Sequence, residues 1–427
     1  MKKKVFPIDT ATGCPLKWNW STIFFQSGTT SSCHRTEKLK IPDKDFSSFH
    51  NLPKKIEDRQ RMLQGKWPNN TCEYCSEVEK VGGYSDRMNQ IAQLTDHDSV
   101  PPELWQDKTS TTITPTNIEV YFKNTCNMSC VYCGPHFSSK WEEENKKHGP
   151  IEYRQIEDGQ SKRNEYDVQK TLTNEHYDKN KREFFDYLRK EERYKILRWF
   201  SFLGGEPLVI PELEECLDFW DNNPNDKLTF QIITNLKATD YRFDKLLDRV
   251  DKLVKQKKIL QFKIICSLDC LGDEAEYVRH GIDLAQWRRN FEKLLELPHI
   301  ELGINSTISL LTLHKFPELL DEINKWNERR PLNKKIVLSF NMDTHLTDPR
   351  VAGGELFLNT LKACEEKMKV RSVRDITIKK YWQGLAESIK ESKRDDKKIL
   401  RLKNYLSQLD KRRNRDWKKT FPWLANL

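Results

Sequence analysis

The chain has 427 residues, 37% hydrophobic and 32% charged, with 73 basic against 64 acidic side chains and a net charge of +9. That is enough apolar material for a packed core in two or three domains, and the interspersed charges read as a mixed solvated surface rather than a dedicated nucleic-acid face. No apolar run reaches the length of a membrane span, and Met-Lys-Lys-Lys-Val-Phe-Pro at the start lacks a secretory signal, so a cytoplasmic protein with no membrane partner is expected.

In chain order, residues 1–92 form a cysteine-bearing unit with a hairpin (Thr22 to Gln26, Ser27-Gly28, Thr29 to Cys33) and an amphipathic helix from Lys54 to Gln64. A polar linker, 93–116, follows. Six strands are then expected at Ile118–Phe122, Trp199–Leu203, Leu228–Thr234, Leu260–Ser267, Ile300–Ile308 and Ile336–Phe340. Helices alternate with them at Pro211–Trp220, Phe243–Val254, Leu284–Leu297 and Pro317–Trp326. Such alternation predicts parallel βαβ units, hence an α/β fold in which residues 117–345 build a partial barrel. A Lys-, Glu- and Asn-rich stretch at about 142–193 interrupts the pattern and reads as a surface insertion too polar to join a core. Residues 346–427 read as a helical, basic C-terminal region.

Eleven cysteines in a reducing compartment point to metal binding or chemistry rather than disulfides. Cys126-x3-Cys130-x2-Cys133 directly follows the first barrel strand. Three soft thiolates on one short loop can hold three corners of a [4Fe–4S] cube and leave the fourth iron open to another ligand. A structural zinc loop, with His136 as fourth ligand, is the competing reading. The spacing, with Tyr132 just before Cys133, resembles the radical S-adenosylmethionine (SAM) superfamily.

That resemblance implies a partial (β/α)6, TIM-like barrel in which SAM chelates the open iron and is reductively cleaved to a 5′-deoxyadenosyl radical. It continues in Gly204-Gly205-Glu206-Pro207 after the second strand, similar to the Gly-Gly-Glu motif that binds the SAM amino group. Ser267 matches a position that contacts the ribose, and Arg279 one that could pair with the SAM carboxylate. The implied cofactor-binding residues are therefore Tyr132, Gly204, Gly205, Glu206, Ser267 and Arg279. An electron donor such as flavodoxin or ferredoxin is implied as a partner.

Cys14, Cys33, Cys72 and Cys75 resemble the twitch and SPASM modules that hold an auxiliary [4Fe–4S] cluster, here placed before the barrel. A four-cysteine zinc site is the alternative. Relatives with such modules often modify peptides or proteins, so a peptidyl substrate is the first expectation. Two other readings stay open. One is RNA or nucleotide modification, with Lys411-Arg412-Arg413 in the basic stretch Arg401–Lys419 as the phosphate-binding face. The other is a non-catalytic zinc-stabilised binding protein. Cys216, Cys266, Cys270 and Cys364 read as ordinary buried or loop residues, and Asp343 and His345 as a strand-end pair without a supporting motif.

Overall fold

A computed structural model describes residues 11–91 without 81, 83, 84 and 89, residues 113–151, and residues 174–427. Most of the expected linker and the middle of the expected insertion lie outside the described residues. Among the described residues, nine strands form one sheet in the order β3-β2-β1-β4-β5-β6-β7-β8-β9. They are β1 (Trp20–Phe24), β2 (Thr29–Ser31), β3 (Leu39–Lys40), β4 (Asn117–Tyr121), β5 (Trp199–Leu203), β6 (Asn225–Thr234), β7 (Ile259–Ser267), β8 (Glu301–Ile308) and β9 (Val337–Met342).

β4 to β9 are mutually parallel, the expected six-strand α/β set. Helical crossovers explain why: a parallel neighbour requires a long return, and these sequences supply at least one helix per return. Asp240–Lys255 buries Phe243, Leu246, Leu247, Val250 and Leu253, one stripe at helical spacing, between β6 and β7. Leu284–Leu295 starts where the Asp283 side chain accepts a bond from the Gln286 N–H and caps the helix. Along β4, Ile118 and Val120 are fully buried in the main core. The alternate positions are more polar, and the register aligns Thr22, Glu119, Ser201, Gln231, Lys263 and Glu301 across six strands.

The cysteine-bearing unit does not stand apart. Its first strand pairs parallel with β4, Trp20 opposite Asn117 through Phe24 opposite Tyr121, so the hairpin extends the barrel sheet at its β4 edge. Gly28 makes the turn at φ 62°, a conformation that suits glycine.

The polar stretch before β5 departs from expectation. Helix Asn174–Arg189 sends Phe184 and Leu188, both fully buried, into the main core, with Phe184 edge-on to Phe25 at 5.3 Å. Tyr177, Phe184 and Leu188 recur at one-face spacing, and that stripe, not the average polarity, decides burial. The C-terminal region is helical as expected, and it is packed. Helix Asp396–Arg413 buries Ile399, Leu402, Tyr405, Leu406 and Leu409.

Candidate functional site

The Cys126–Cys133 loop leaves the C-terminal end of β4, the edge where barrel enzymes assemble their sites. Its backbone is fastened from several sides. Ser129 N–H donates to the His280 carbonyl and Val131 N–H to the Val278 carbonyl, at 2.9 and 2.7 Å. Ser138 Oγ donates to the Met128 carbonyl, Trp141 Nε1 to the Cys130 carbonyl, and Tyr405 OH to the Val131 carbonyl. A loop so heavily bonded has a fixed backbone, which limits where its three thiols can lie.

Gly205 presses against the start of this loop, and Gly204 against the Tyr121 side chain at the end of β4. Both have positive φ, and a Cβ on Gly205 would lie 2.2 Å from the Thr125 carbonyl oxygen. Glu206 follows, 99% buried. Its Oε1 accepts from Thr234 Oγ1 at 2.6 Å and Leu208 N–H at 3.0 Å, and its Oε2 accepts from Asn235 N–H at 2.6 Å. Burial pushes this carboxyl up to about 7 against those donors. Glu206 thus ties the ends of β5 and β6 together. Asn235 in turn donates to Asn127 Oδ1 beside Cys126.

Asp269 is the group that sequence reasoning left without a role. Completely buried, it accepts from Tyr132 OH at 2.7 Å, Arg279 Nη2 at 2.7 Å and Thr307 N–H at 2.8 Å. A lone carboxylate in the apolar run Ile264 to Leu271 was the available signal, since a buried charge demands partners. Arg279 lies 5.7 Å from the Tyr132 ring centroid, and its buried Nε has no hydrogen-bond partner. Ser267 closes β7 opposite Asn305.

The structure therefore brings Tyr132, Arg279 and the three loop cysteines to one strand-end region, with Gly204, Gly205 and Glu206 bracing the loop. Burial raises Cys126 to about 12, reinforced by the Glu206 charge, and raises Cys130 further, opposed by Arg279. Each of these two thiols also feels the charge of Cys133. Among the described residues no three or more His, Cys, Asp or Glu side chains are arranged to hold one ion as they stand. The donor set still fits an iron–sulfur cube: three soft sulfurs on one loop in mutual electrostatic reach, beside a buried cation with an unused donor.

Cys14, Cys33, Cys72 and Cys75 are also brought together. Cys14 feels Cys33 and Cys72, and Cys75 acts on both Cys33 and Cys72. Burial lifts Cys14 to about 12 and Cys33 to about 11. Cys216, Cys266, Cys270 and Cys364 are buried core residues. His136 lines a cleft with Phe24, Lys38 and Phe137. Asp343 accepts from the backbone N–H groups of His345 and Thr347, which makes it a turn-former. In the basic stretch, Arg413 forks onto Glu144 over the Trp141 ring, and Arg412 donates to Asn145 and the Gly149 carbonyl.

No protein-family model matches the chain, and no curated protein matches it. Solved structures are similar in outline only. Streptococcus suis SuiB bound to precursor peptide SuiA gives a TM-score of 0.34 at 14% identity, over 92% of this chain and 69% of that one. TYW1 with a lysine–pyruvate adduct bound gives 0.27 at 17% identity, over 56% and 70%. Scores this low assign neither fold nor activity.

Proposed function

We propose that this chain is a radical SAM enzyme whose Cys126, Cys130 and Cys133 hold a site-differentiated [4Fe–4S] cluster. The supporting observation is a three-thiol loop at the C-terminal edge of a parallel sheet, clamped by Gly204-Gly205-Glu206 and flanked by a buried Arg279 with an unused donor. Cys126, Cys130 and Cys133 would hold that cluster, which would supply the electron for reductive cleavage of SAM to methionine and a 5′-deoxyadenosyl radical.

The chain's own residues bind and orient. Gly204 and Gly205, lacking side chains, let Tyr121 and the Lys123 and Thr125 carbonyls pack against the strand end and so set the loop's path. Arg279, fixed by Asp269, presents its Nε toward a carboxylate. Tyr132 shares that anchor. Ser267 offers its hydroxyl to the ribose. Glu206, carried over as the partner of the SAM ammonium, already accepts three internal bonds, so we assign it to holding the loop. Cys14, Cys33, Cys72 and Cys75 are proposed as a second, fully protein-ligated centre, iron–sulfur or zinc. A flavodoxin- or ferredoxin-like donor supplies the electron, and the substrate class carried by the sequence resemblance is a peptide or protein.

The test is anaerobic purification, iron and sulfide analysis, and electron paramagnetic resonance of the reduced protein with and without SAM. The reading expects a cubane signal that shifts on SAM addition, and 5′-deoxyadenosine that disappears in Cys126→Ala. A reduced protein whose signal ignores SAM ends it.

A further inference from the structure

The cysteine loop has two flanks. On the β1–β4 side lies the cleft of Phe24, Lys38, His136 and Phe137. On the other side the loop is tied to the segments that follow β6 and β7. Asn235 Nδ2 donates to Asn127 Oδ1 at 2.8 Å and lies 4.0 Å from Cys126 Sγ. Asn127 Nδ2 donates to the Lys237 carbonyl at 2.8 Å, and Lys237 Nζ donates to the Gly281 carbonyl at 2.6 Å. Two asparagine side chains therefore lead from the Cys126 thiol to half-buried Lys237 at the outer rim of the strand ends.

That rim is cationic. Arg242, in the first turn of helix Asp240–Lys255, and Arg289, in the second turn of helix Leu284–Leu295, are exposed. The two helices stand side by side: Asn290 donates to the Leu236 and Ala238 carbonyls, and Lys293 pairs with Asp240 and Asp244. Arg415, just past helix Asp396–Arg413, is exposed as well, and its charge reaches His280 together with that of Lys237. Among the described residues no carboxylate pairs with Lys237, Arg242, Arg289 or Arg415. The neighbouring acids are already engaged: Asp240 and Asp244 by Lys293, Asp283 by the Gln286 N–H, and Glu144 by Arg413. Such a surplus projects a positive field from the rim. Tyr241, 81% exposed, adds uncovered aromatic surface beside Arg242, and Tyr and Arg are enriched where proteins meet.

We infer that this rim, Lys237, Arg242, Arg289 and Arg415 with Tyr241, is the docking face for an acidic one-electron donor protein of the flavodoxin or ferredoxin class. The inference rests on the strand-end cluster of the proposed function. Electron transfer weakens steeply with distance, so a donor must sit where little protein covers the acceptor, and the two asparagines mark such a path. A nucleic acid could use the same charge, but only an electron donor gains from contact with the cysteine loop. In the encounter the donor's reduced flavin or iron–sulfur centre loses one electron and the strand-end cluster gains it, with no atom transferred. Redox encounters are small and steered by charge, which a cationic rim supplies.

The test compares the native holoenzyme with Arg242→Glu/Arg289→Glu/Arg415→Glu, three exposed positions outside the cysteine loop and the SAM contacts. Purified flavodoxin and ferredoxin serve as probes, read by stopped-flow reduction of the cluster and by calorimetric binding. At low salt the variant should bind more weakly and be reduced at least about tenfold more slowly than the native chain, and the gap should close at high salt. The neutral Arg242→Gln/Arg289→Gln/Arg415→Gln chain should fall between them. 5′-Deoxyadenosine formed with dithionite, a small reductant that needs no docking, should be equal in all three. Equal donor rates in native and variant chains, or a native chain that neither acidic probe binds, would overturn the docking face. So would a variant that loses RNA binding while its donor rates stay native. A cluster that takes electrons through the rim but ignores SAM would sink the enzyme reading and leave the docking face standing.

Discussion

Replacing Glu206 by Gln separates a carboxylate that holds the loop from one reserved for a ligand. In the native chain Oε1 takes two donors and Oε2 takes the Asn235 N–H at 2.6 Å, all in full burial. Glutamine keeps one carbonyl oxygen and turns the other position into an NH2, so a side-chain donor faces a backbone N–H donor. A buried unsatisfied donor costs about 1–3 kcal/mol, and losing the charge on the remaining bonds adds about 1 kcal/mol. We expect Glu206→Gln to lower unfolding stability by about 2–4 kcal/mol in urea, and Glu206→Ala by more. Both effects should persist in metal-free protein without SAM. If Glu206→Gln melts with the native chain and only SAM affinity falls, the carboxylate is a ligand group and its role as a tie is refuted.

Gly205→Ala should cost about 3 kcal/mol or more, from a Cβ driven into the Thr125 carbonyl and a positive φ of 55°, and should reduce iron loading at the adjacent Cys126. Asp269→Asn breaks a buried pair with Arg279 and should cost about 3–5 kcal/mol by chemical denaturation, a loss that Arg279→Met in the same chain partly restores. The raised Glu206 carboxyl predicts a pH effect of definite sign. Between its unfolded value near 4.5 and about 7 the native state holds the extra proton, so its contribution to stability falls as pH rises through that window. Urea titrations across the window should show a flatter slope in Glu206→Gln. Arg412→Ala/Arg413→Ala should destabilise the fold without changing the salt dependence of RNA binding, because these side chains are engaged with Glu144, Asn145 and Gly149.

The parallel sheet was legible because each barrel strand is a short β-branched or aromatic run and each return after β5 carries a clean apolar stripe. β5 matches its sequence expectation residue for residue, and the other barrel strands shift by one to three residues at their ends. What escaped was long-range satisfaction of polar groups. Asp269 is one letter in an apolar run, and nothing local reveals that Tyr132, Arg279 and Thr307 converge on it. Helix Asn174–Arg189 escaped because its Lys, Asn and Arg residues outnumber the ones that sink Phe184 and Leu188 into the core. The N-terminal cysteines were visible as a group, but their end of the sheet depended on whether β1 pairs parallel or antiparallel with β4, which composition does not encode.

The bond from Tyr405 to the Val131 carbonyl spans 274 positions of sequence. At about 5–20 residues per second, a ribosome needs roughly 15–55 s to deliver that tyrosine after the cysteine loop has emerged. Throughout that interval the loop lacks its bond to helix Asp396–Arg413, so its final geometry waits on the far end of the chain.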